Sequence, residues 1–265
     1  MVSKKTPRDA RPDYRVESLA KGLSVLSLFS EQRPTWRIGE LASATGMPMP
    51  TAYRFVMTLV LEGFLEPLPG GDYRPAIKVL TLGTAALRSL DLVEIATPRL
   101  QALGAESGET VNLAVLSGDQ ILYLVRLRNR DLVTANIQVG SLLPAVTTSI
   151  GKLLLAYLSS EELSGCLVSS SFVGNHGPNA RTSVDELRPQ LAQIKVRGWA
   201  SQDEEVAHGL RSVAAPVWDR TGQVKAGVNI AVQARDWSAK RIQSELLPLV
   251  VAAAQDISGL LGFRR

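Results

Sequence analysis

The chain has 265 residues, of which 45% are apolar and 20% charged, so it can bury a real core and can form one large domain or two ordinary ones. A single cysteine, Cys166, excludes an intrachain disulfide and a cysteine zinc cluster. The N-terminus lacks the apolar core of a signal peptide and no apolar run approaches the length of a membrane span, so we expect a cytoplasmic protein.

The net charge of +4 is unevenly distributed. Residues 1–78 contain 11 Lys/Arg and 8 Asp/Glu, whereas residues 79–265 contain 18 and 17. We expect residues 1–14 to form a disordered basic tail. Such a tail can bind nucleic acid by releasing counterions, or it can simply be solvated, and its charge alone favours neither reading.

Three short helices are predicted in the N-terminal part of the chain. Apolar residues recur at helical spacing from Val16 to Ser30, which predicts the first helix. The second covers residues 38–45 and ends at Gly46, because glycine tolerates the left-handed conformation that follows a helix. The third has Pro50 in its first turn and extends to about Glu62. The residues of the first helix that we expect to face inward are Val16, Leu19, Leu23, Leu26 and Phe29.

A hairpin is predicted directly after the third helix, with strands at 64–68 and 72–75 around a Pro-Gly-Gly turn. Helix, helix, turn, helix and hairpin together are typical of a winged helix-turn-helix, whose last helix lies in the major groove of DNA. The polar stripe of the third helix would then face DNA, and two arginines outside it would clamp the backbone. The expected DNA-binding residues are Arg37, Thr51, Arg54, Thr58 and Arg74.

Two alternatives remain open for this segment. The same packing can serve a small helical module that binds protein and has no role in DNA binding. Thr51 and Arg54 can also be phosphate contacts, which position a protein on DNA without specifying a sequence.

Beyond the hairpin, residues 77–108 have a helical pattern that Pro98 is expected to kink or restart. The rest of the chain mixes hairpins and helices, which predicts an antiparallel sheet with helices packed on it and room for a small-molecule pocket. Strands are predicted at 110–127 around a Ser-Gly-Asp turn, at 132–140, and at 210–233 around a second turn. Helices are predicted from Ser149, from 183 to 198, and from 238 to 262, with a turn after the first of them.

Two motifs resemble the IclR family of bacterial transcriptional regulators. The stretch "ELASATGMPMPTAYRFVMTL" resembles that family's helix-turn-helix, whose Gly-Leu-Pro-x-x-Thr-x-x-Arg pattern is matched here by Gly46, Pro48, Thr51 and Arg54. The stretch "GWASQDEEVAHGLRSVAAPVWD" is similar to its C-terminal signature, with Gln202 where Asp or Ser is usual. The resemblance implies an α+β chain in which a winged helix-turn-helix (15–77), a linker helix (78–108) and a GAF-like effector-binding domain (109–265) follow one another.

The resemblance also implies a homodimer or homotetramer that binds operator DNA and a small organic acid. The stretches "NIQVGSLLPA" and "TSIGKLLLA" resemble the branch that responds to protocatechuate, β-ketoadipate or 4-hydroxybenzoate. A carboxylate is physically reasonable because the start of the helix at Ser149 attracts anions, although Ser149 can equally be a helix cap. The effector-binding positions implied by the family are Ser149, Ile150, Gln202, Ser212, Asn229 and Ala231.

Other candidate chemistry is sparse. His208 is expected in a turn, Cys166 as a buried thiol, and Asp203 to Glu205 as a solvated strand end. Neither a nucleophile–base pair nor a metal-binding spacing is evident, so we expect no catalytic residues, no metal and no cofactor. The alternatives are an enzyme with a regulatory helical cap and a sensor that no longer binds DNA.

Overall fold

A computed structural model describes residues 15–30, 33–88, 91–128, 137–174 and 176–264 of the chain. The chain divides into two compact units, residues 1–86 and residues 87–265. The basic tail expected at residues 1–14 lies outside the described residues.

The first unit has three helices and a small sheet around one core, followed by a fourth helix. Its helices are α1 (Glu17–Leu26), α2 (Ile38–Thr45), α3 (Met49–Leu61) and α4 (Lys78–Arg88), and its strands are β1 (Trp36–Arg37), β2 (Leu65–Pro67) and β3 (Asp72–Pro75). Gly46 has a φ of 67° at the end of α2, and Pro50 lies in the first turn of α3. The winged helix-turn-helix prediction is therefore confirmed.

The predicted hairpin is confirmed, since β2 pairs antiparallel with β3, and a third strand that was not predicted extends this small sheet. β1 precedes α2 and pairs antiparallel with β3, which gives the strand order β1-β3-β2. The indole N–H of Trp36 donates to the carbonyl of Leu28 at 3.1 Å and ties β1 to the segment after α1. A third strand is favourable because an isolated two-stranded hairpin is only marginally stable.

The apolar spacing predicts the buried face of α1 only in part. Leu26 and Phe29 pack against the core as predicted, whereas Leu19 and Leu23 are 62% and 53% exposed. Val25, which is fully buried, lies roughly 100° around a 3.6-residue helix from Leu26. The apolar row Val16, Leu19 and Leu23 is therefore left on the outside of the unit.

The second unit is built on a six-stranded antiparallel sheet in the order β6-β5-β4-β9-β8-β7. Every pair of neighbouring strands in this order is antiparallel, in agreement with the predicted α+β fold. The strands are β4 (Thr110–Ser117), β5 (Gln120–Leu127), β6 (Leu142–Pro144), β7 (Ala200–Asp203), β8 (Leu210–Trp218) and β9 (Val224–Gln233).

Helices cover both faces of this sheet. The alternation along β4 separates the two faces: Val111 and Leu113 pack with α5 and α10, whereas Ala114 packs with α6 and α8. The four helices are α5 (Asp91–Ser107), α6 (Ser149–Ala156), α8 (Val184–Arg197) and α10 (Leu247–Leu260). In α8, Ser183 is the N-cap and Gly198 the C-cap, as predicted.

Two segments near α6 differ from the prediction. Residues 137–140 are not a strand, so the strand predicted at 132–140 is wrong there, and residues 132–136 lie outside the described residues. The turn expected after α6 is present at residues 157–158, but a helix that was not predicted, α7 (Ser160–Cys166), follows it. The hydroxyl of Ser159 accepts the backbone N–H of Glu162 at 3.2 Å and caps this helix.

Two prolines inside helical segments have different effects on the helix. The helix α5 is continuous through Pro98, so the helix does not restart there. The long C-terminal helix is interrupted, because α9 (Ala239–Arg241) passes through a π-helical turn at Ile242–Leu246 before α10 begins. Pro248 has no N–H to donate to the preceding turn, which disfavours regular α-helical bonding at this point.

A β-bulge changes which side chains of β5 face α6. Leu113 pairs with Val125 and Ala114 pairs with Tyr123, so Leu124 is an extra residue in β5. Residues three apart in a regular strand point to opposite faces, but the extra residue places Tyr123 and Arg126 on the same face. Both therefore lie on the side of the sheet that α6 and α8 cover.

A buried ion pair joins α6 to the loop after β7. Lys152 is fully buried, and its Nζ lies 2.5 and 2.7 Å from the two carboxylate oxygens of Glu205. Burial raises the pKa of Glu205 and lowers the pKa of Lys152, and each charge partly offsets the shift of the other. The expectation of a solvated strand end is thus wrong for Glu205, because the strand stops at Asp203 and Glu204 turns the chain inward with a φ of 54°.

Removing one partner of the Lys152–Glu205 pair is expected to destabilise the fold. Lys152→Met should lower the free energy of unfolding by about 3–5 kcal/mol, because it leaves a buried carboxylate without its cation. Adding Glu205→Leu to that variant should recover most of the loss. Urea unfolding followed by tryptophan fluorescence measures both changes.

The control for this comparison is Glu245→Gln in the exposed Arg241–Glu245 pair, which should change stability little. A Lys152→Met variant as stable as that control would contradict the structural role of the buried pair.

Candidate functional site

The outward face of α3 is the candidate DNA-binding surface. Ala52 and Val56 are buried on the inner face, whereas Arg54 and Thr58 are exposed and Thr51 is half-buried. The expected polar stripe therefore exists on this helix. A helix of this kind can place such side chains against base edges or phosphates in the major groove.

Thr58 differs from the other two residues of the stripe in its hydrogen bonding. Its hydroxyl donates to the carbonyl of Arg54 in the preceding turn at 2.8 Å. A hydroxyl bonded to its own helix must break that bond before it can donate to a phosphate. Thr51 and Arg54 are consequently the stronger candidates for DNA contact.

Arg37 and Arg74 are exposed on neighbouring strands of the wing sheet, and each has an acidic neighbour. Arg37 Nε lies 3.4 Å from an oxygen of Asp72, and Arg74 Nε lies 2.5 Å from an oxygen of Glu66. Exposed ion pairs contribute little stability, so a phosphate group can compete for either guanidinium.

Sequence reasoning missed two residues on the outward face of α3. Met49 and Tyr53 are 52% and 51% exposed and lie four positions apart, which is one helical turn. Sequence reasoning did not select them because it expected apolar and aromatic residues to face the core. Their four-residue spacing could have indicated that they share one face of α3. An apolar side chain at this position can contact a thymine methyl group.

A narrow cavity in the second unit is the candidate effector site. Together with the open solvent at its mouth it measures about 310 Å³, and it lies on the side of the sheet that faces α6. Four of the six positions implied by the family resemblance line it, namely Gln202, Ser212, Asn229 and Ala231.

The other two positions, Ser149 and Ile150, do not line the cavity. Ser149 is fully buried and hydrogen-bonded to two residues that do line it, Ser212 at 2.7 Å and Asn229 at 3.2 Å. Ile150 is fully buried against Gly227, where a methyl group would come within 2.8 Å of its side chain. Ser149 is also not the helix cap, since the hydroxyl of Thr148 accepts the N–H of Gly151 at 3.0 Å.

The floor of the cavity is a row of polar side chains across three strands. Asn112 pairs directly with Arg126 on one side and Asn229 on the other. Arg126 Nη1 donates to Asn112 Oδ1 at 2.9 Å, and Asn112 Nδ2 donates to Asn229 Oδ1 at 2.7 Å. Because a guanidinium can only donate, it fixes the orientation of the Asn112 amide and, through it, that of Asn229.

Sequence reasoning also missed three residues of this cavity, Asn112, Tyr123 and Arg126. Strand alternation alone places Tyr123 and Arg126 on opposite faces, and only the bulge brings them together. The signal for Asn112 was a lone amide inside the apolar run of β4. Burial raises the pKa of Tyr123 to about 12, so its phenol keeps its proton at neutral pH.

Gln202 links the cavity to the buried ion pair. Its Nε2 donates to the carbonyl of Leu210 at 3.2 Å, and its Oε1 accepts the N–H of Glu205 at 3.0 Å. The amide therefore holds both ends of the loop between β7 and β8. Val206 in this loop and Leu210 also line the cavity.

The remaining candidate residues lie away from both surfaces. His208 is exposed in a turn, as predicted, with its Nδ1 2.7 Å from a carboxylate oxygen of Glu204. Cys166 is half-buried, not buried as expected, and donates to the carbonyl of Gly118 at 2.7 Å. Within the described ranges, no three metal-binding side chains come together, and no helix is long and apolar enough to span a membrane.

Comparisons with known proteins agree with this architecture. Residues 18–69 match the profile of the IclR helix-turn-helix domain, and residues 84–259 match that of the bacterial transcriptional regulator IclR C-terminal region. The chain is 33% identical over 252 residues to the Pca regulon regulatory protein of Pseudomonas putida, covering 93% of this chain and 84% of that one. It is 30% identical over 256 residues to the transcriptional regulator KdgR of Escherichia coli, covering 96% of each.

A solved structure extends this similarity to the three-dimensional fold. An IclR homolog from Microbacterium hydrocarbonoxydans, crystallised with 4-hydroxybenzoate, aligns with a TM-score of 0.73 and 25% identity. The alignment covers 92% of this chain and 98% of that one.

The position of Arg54 generates a direct test of the DNA-binding surface. Arg54→Ala should weaken binding to a DNA duplex selected from random sequence by roughly 10- to 100-fold, as expected for the loss of one base contact. Fluorescence anisotropy at fixed salt measures the change. Lys21→Ala, which removes one positive charge from α1, is the matched control and should have a small effect. Unchanged affinity in Arg54→Ala would contradict this docking.

Proposed function

The chain belongs to the IclR family of bacterial transcriptional regulators, and from that premise we propose that a small organic acid in the second unit controls its binding to DNA. It is a DNA-binding regulator, and its relatives are regulators, not enzymes. A regulator with this task acts in the cytoplasm, where the bacterial chromosome lies. The genes that we propose it controls serve the catabolism of an aromatic or other small organic acid.

We propose that Thr51 and Arg54 contact operator DNA in the major groove and that Arg37 and Arg74 contact its backbone. The exposure of Arg54 on the outward face of α3 supports this assignment. The wing arginines lie on paired strands, so one rigid small sheet carries both of them. Thr58 completes the stripe as a secondary contact.

The single observation that carries the effector proposal is the cavity with a polar floor. Buried amide and hydroxyl groups are costly unless they are paired, so a protein that keeps several of them along one cavity has a use for their hydrogen bonds. Ser212, Asn229 and Gln202 supply those groups, and Ala231 leaves room above them.

The class of effector follows from chemistry and from similarity together. One relative is named for a Pca regulon, and one homologous structure contains 4-hydroxybenzoate. KdgR is nearly as similar to this chain, so the names of relatives do not select one acid. The cavity is narrow, so it is compatible only with a small ligand, such as a single ring or a short chain.

We further propose that two or four copies assemble. The exposed apolar row of α1, formed by Val16, Leu19 and Leu23, supports a contact with a second copy because such a row gains stability when it leaves water. Two helix-turn-helix units are also needed to read two half-sites of an operator.

A thermal-shift screen of the full-length protein tests the effector proposal. Benzoate, 4-hydroxybenzoate, protocatechuate and adipate form the panel. A panel acid present at 100 times its Kd should raise the Tm by roughly 5–10 °C, because it binds only the folded state.

Two variants locate that effect. Ala231→Leu should abolish the shift by filling the cavity, whereas the same change at the exposed Ala239 should leave it intact. No shift with any acid, or an equal shift in Ala231→Leu, would contradict an acid effector in this cavity.

A further inference from the structure

We propose that Arg126 binds the carboxylate of the effector, so that the acid lies with its charged group toward β5 and its neutral end toward β8. The inference rests on the proposed function, since it presumes that an acid enters this cavity. It adds a residue outside the set that the family resemblance implies, and it fixes the orientation of the ligand.

The positive charge of Arg126 favours it as the partner of a carboxylate. Among the described residues that line the cavity, Arg126 alone carries a formal charge, and it is half-buried. A partly buried guanidinium attracts an anion more strongly than the same group in water, because the surroundings screen it less. The phenol of Tyr123 beside it is uncharged at neutral pH, so it does not repel a carboxylate.

Neighbouring side chains also hold Arg126 in position. Asn112 accepts from Arg126 and is itself held by Asn229, so the guanidinium is attached to a row of side chains across β5, β4 and β9. A guanidinium has five N–H donors in a planar fork, and it can hold an amide oxygen and a carboxylate at the same time. The geometry therefore pre-orients Arg126 before a ligand arrives.

The backbone bulge in β5 also supports a role for Arg126 in the cavity. Without the extra residue at Leu124, Tyr123 and Arg126 would face opposite sides of the sheet. Bulges often serve to re-aim a side chain next to a functional site. Here the bulge adds an aromatic side chain and a cation to the same end of the cavity.

The competing position for the carboxylate is the start of α6, and the structure disfavours it. A helix end offers about half of a unit charge, whereas Arg126 offers a full one. Thr148 uses its hydroxyl to cap its own helix. Ser149 is fully buried beneath its hydrogen bonds to Ser212 and Asn229, so its hydroxyl is covered on the cavity side.

The opposite end of the cavity selects a neutral group. Ser212 and Gln202 pair with each other in register and offer a hydroxyl and an amide. The nearest ion pair, Lys152 with Glu205, is neutral as a whole and already satisfied. A second carboxylate at this end would lose its hydration, and none of the described residues that line this end carries a positive charge. The structure thus points to an acid with one carboxylate and a neutral polar substituent.

The experiment compares 4-hydroxybenzoate with 4-hydroxybenzamide and benzoate with benzamide, by isothermal titration calorimetry on the full-length protein. The wild-type protein should prefer each acid over its amide by more than about tenfold, because a charged partner strengthens a hydrogen bond. Arg126→Gln should lose roughly 10- to 100-fold in affinity for the acid and should no longer prefer it. Arg126→Lys keeps the charge and should retain part of the preference.

Arg128→Gln is the matched control, because it removes an exposed arginine two residues away and lowers the net charge equally. It should bind the acid as the wild-type protein does. If Arg126→Gln binds the acid as tightly as this control, the assignment of Arg126 is wrong while the acid effector stands.

Two further outcomes are decisive. If the wild-type protein binds neither acid nor any other member of the panel, the effector class itself is wrong and Arg126 loses its role with it. If Arg126→Gln fails to fold, as judged by circular dichroism, the wild-type protein and Arg126→Lys decide, and equal affinity for acid and amide in both overturns the inference.

Discussion

The second unit depends on one constraint, which is that polar side chains buried under a sheet must be paired. Asn112, Asn229, Ser149 and Ser212 are all nearly inaccessible, and each is hydrogen-bonded to another of the group. The other face of the sheet, where α5 and α10 lie, is mainly apolar, and its buried Ser258 accepts the N–H of Trp218. The cavity lies on the face where α6 covers polar groups, and Arg126 joins their chain of hydrogen bonds through Asn112.

The same requirement explains the buried ion pair behind the cavity. Lys152 is fully buried on α6, so its positive charge needs a partner inside the protein. The loop after β7 supplies that partner, Glu205. The close approach of Gly177 to the Glu204 carbonyl, which leaves no room for a side chain, holds that loop from its other side. Gln202 lines the cavity and also holds both ends of the loop, and we propose that a ligand in the cavity acts on the loop through it.

The sequence predicted those features that depend on local chemistry. Gly46 predicted the end of α2 and Pro50 predicted the start of α3. Alternating apolar and polar residues around short turns predicted the hairpins of the sheet. It did not predict that Val16, Leu19 and Leu23 stay exposed, because these residues continue the apolar row of Leu26 and Phe29 and only tertiary contacts decide how much of the row is covered. Nor did it predict the cavity's cation, because a one-residue bulge reverses the facing of Arg126 relative to Tyr123.

We propose that an acid bound in the cavity and DNA bound on α3 affect each other's binding. A ligand shifts DNA affinity only if it prefers one arrangement of the protein, and the effect must be reciprocal. The decisive measurement is DNA affinity by fluorescence anisotropy, with and without the most stabilising acid, in the wild-type protein and in Arg126→Gln. We expect a change of roughly 5- to 150-fold in the wild-type protein, the usual range for such coupling, and none in the variant. A wild-type protein that the acid stabilises, but whose DNA affinity does not change, would contradict the account.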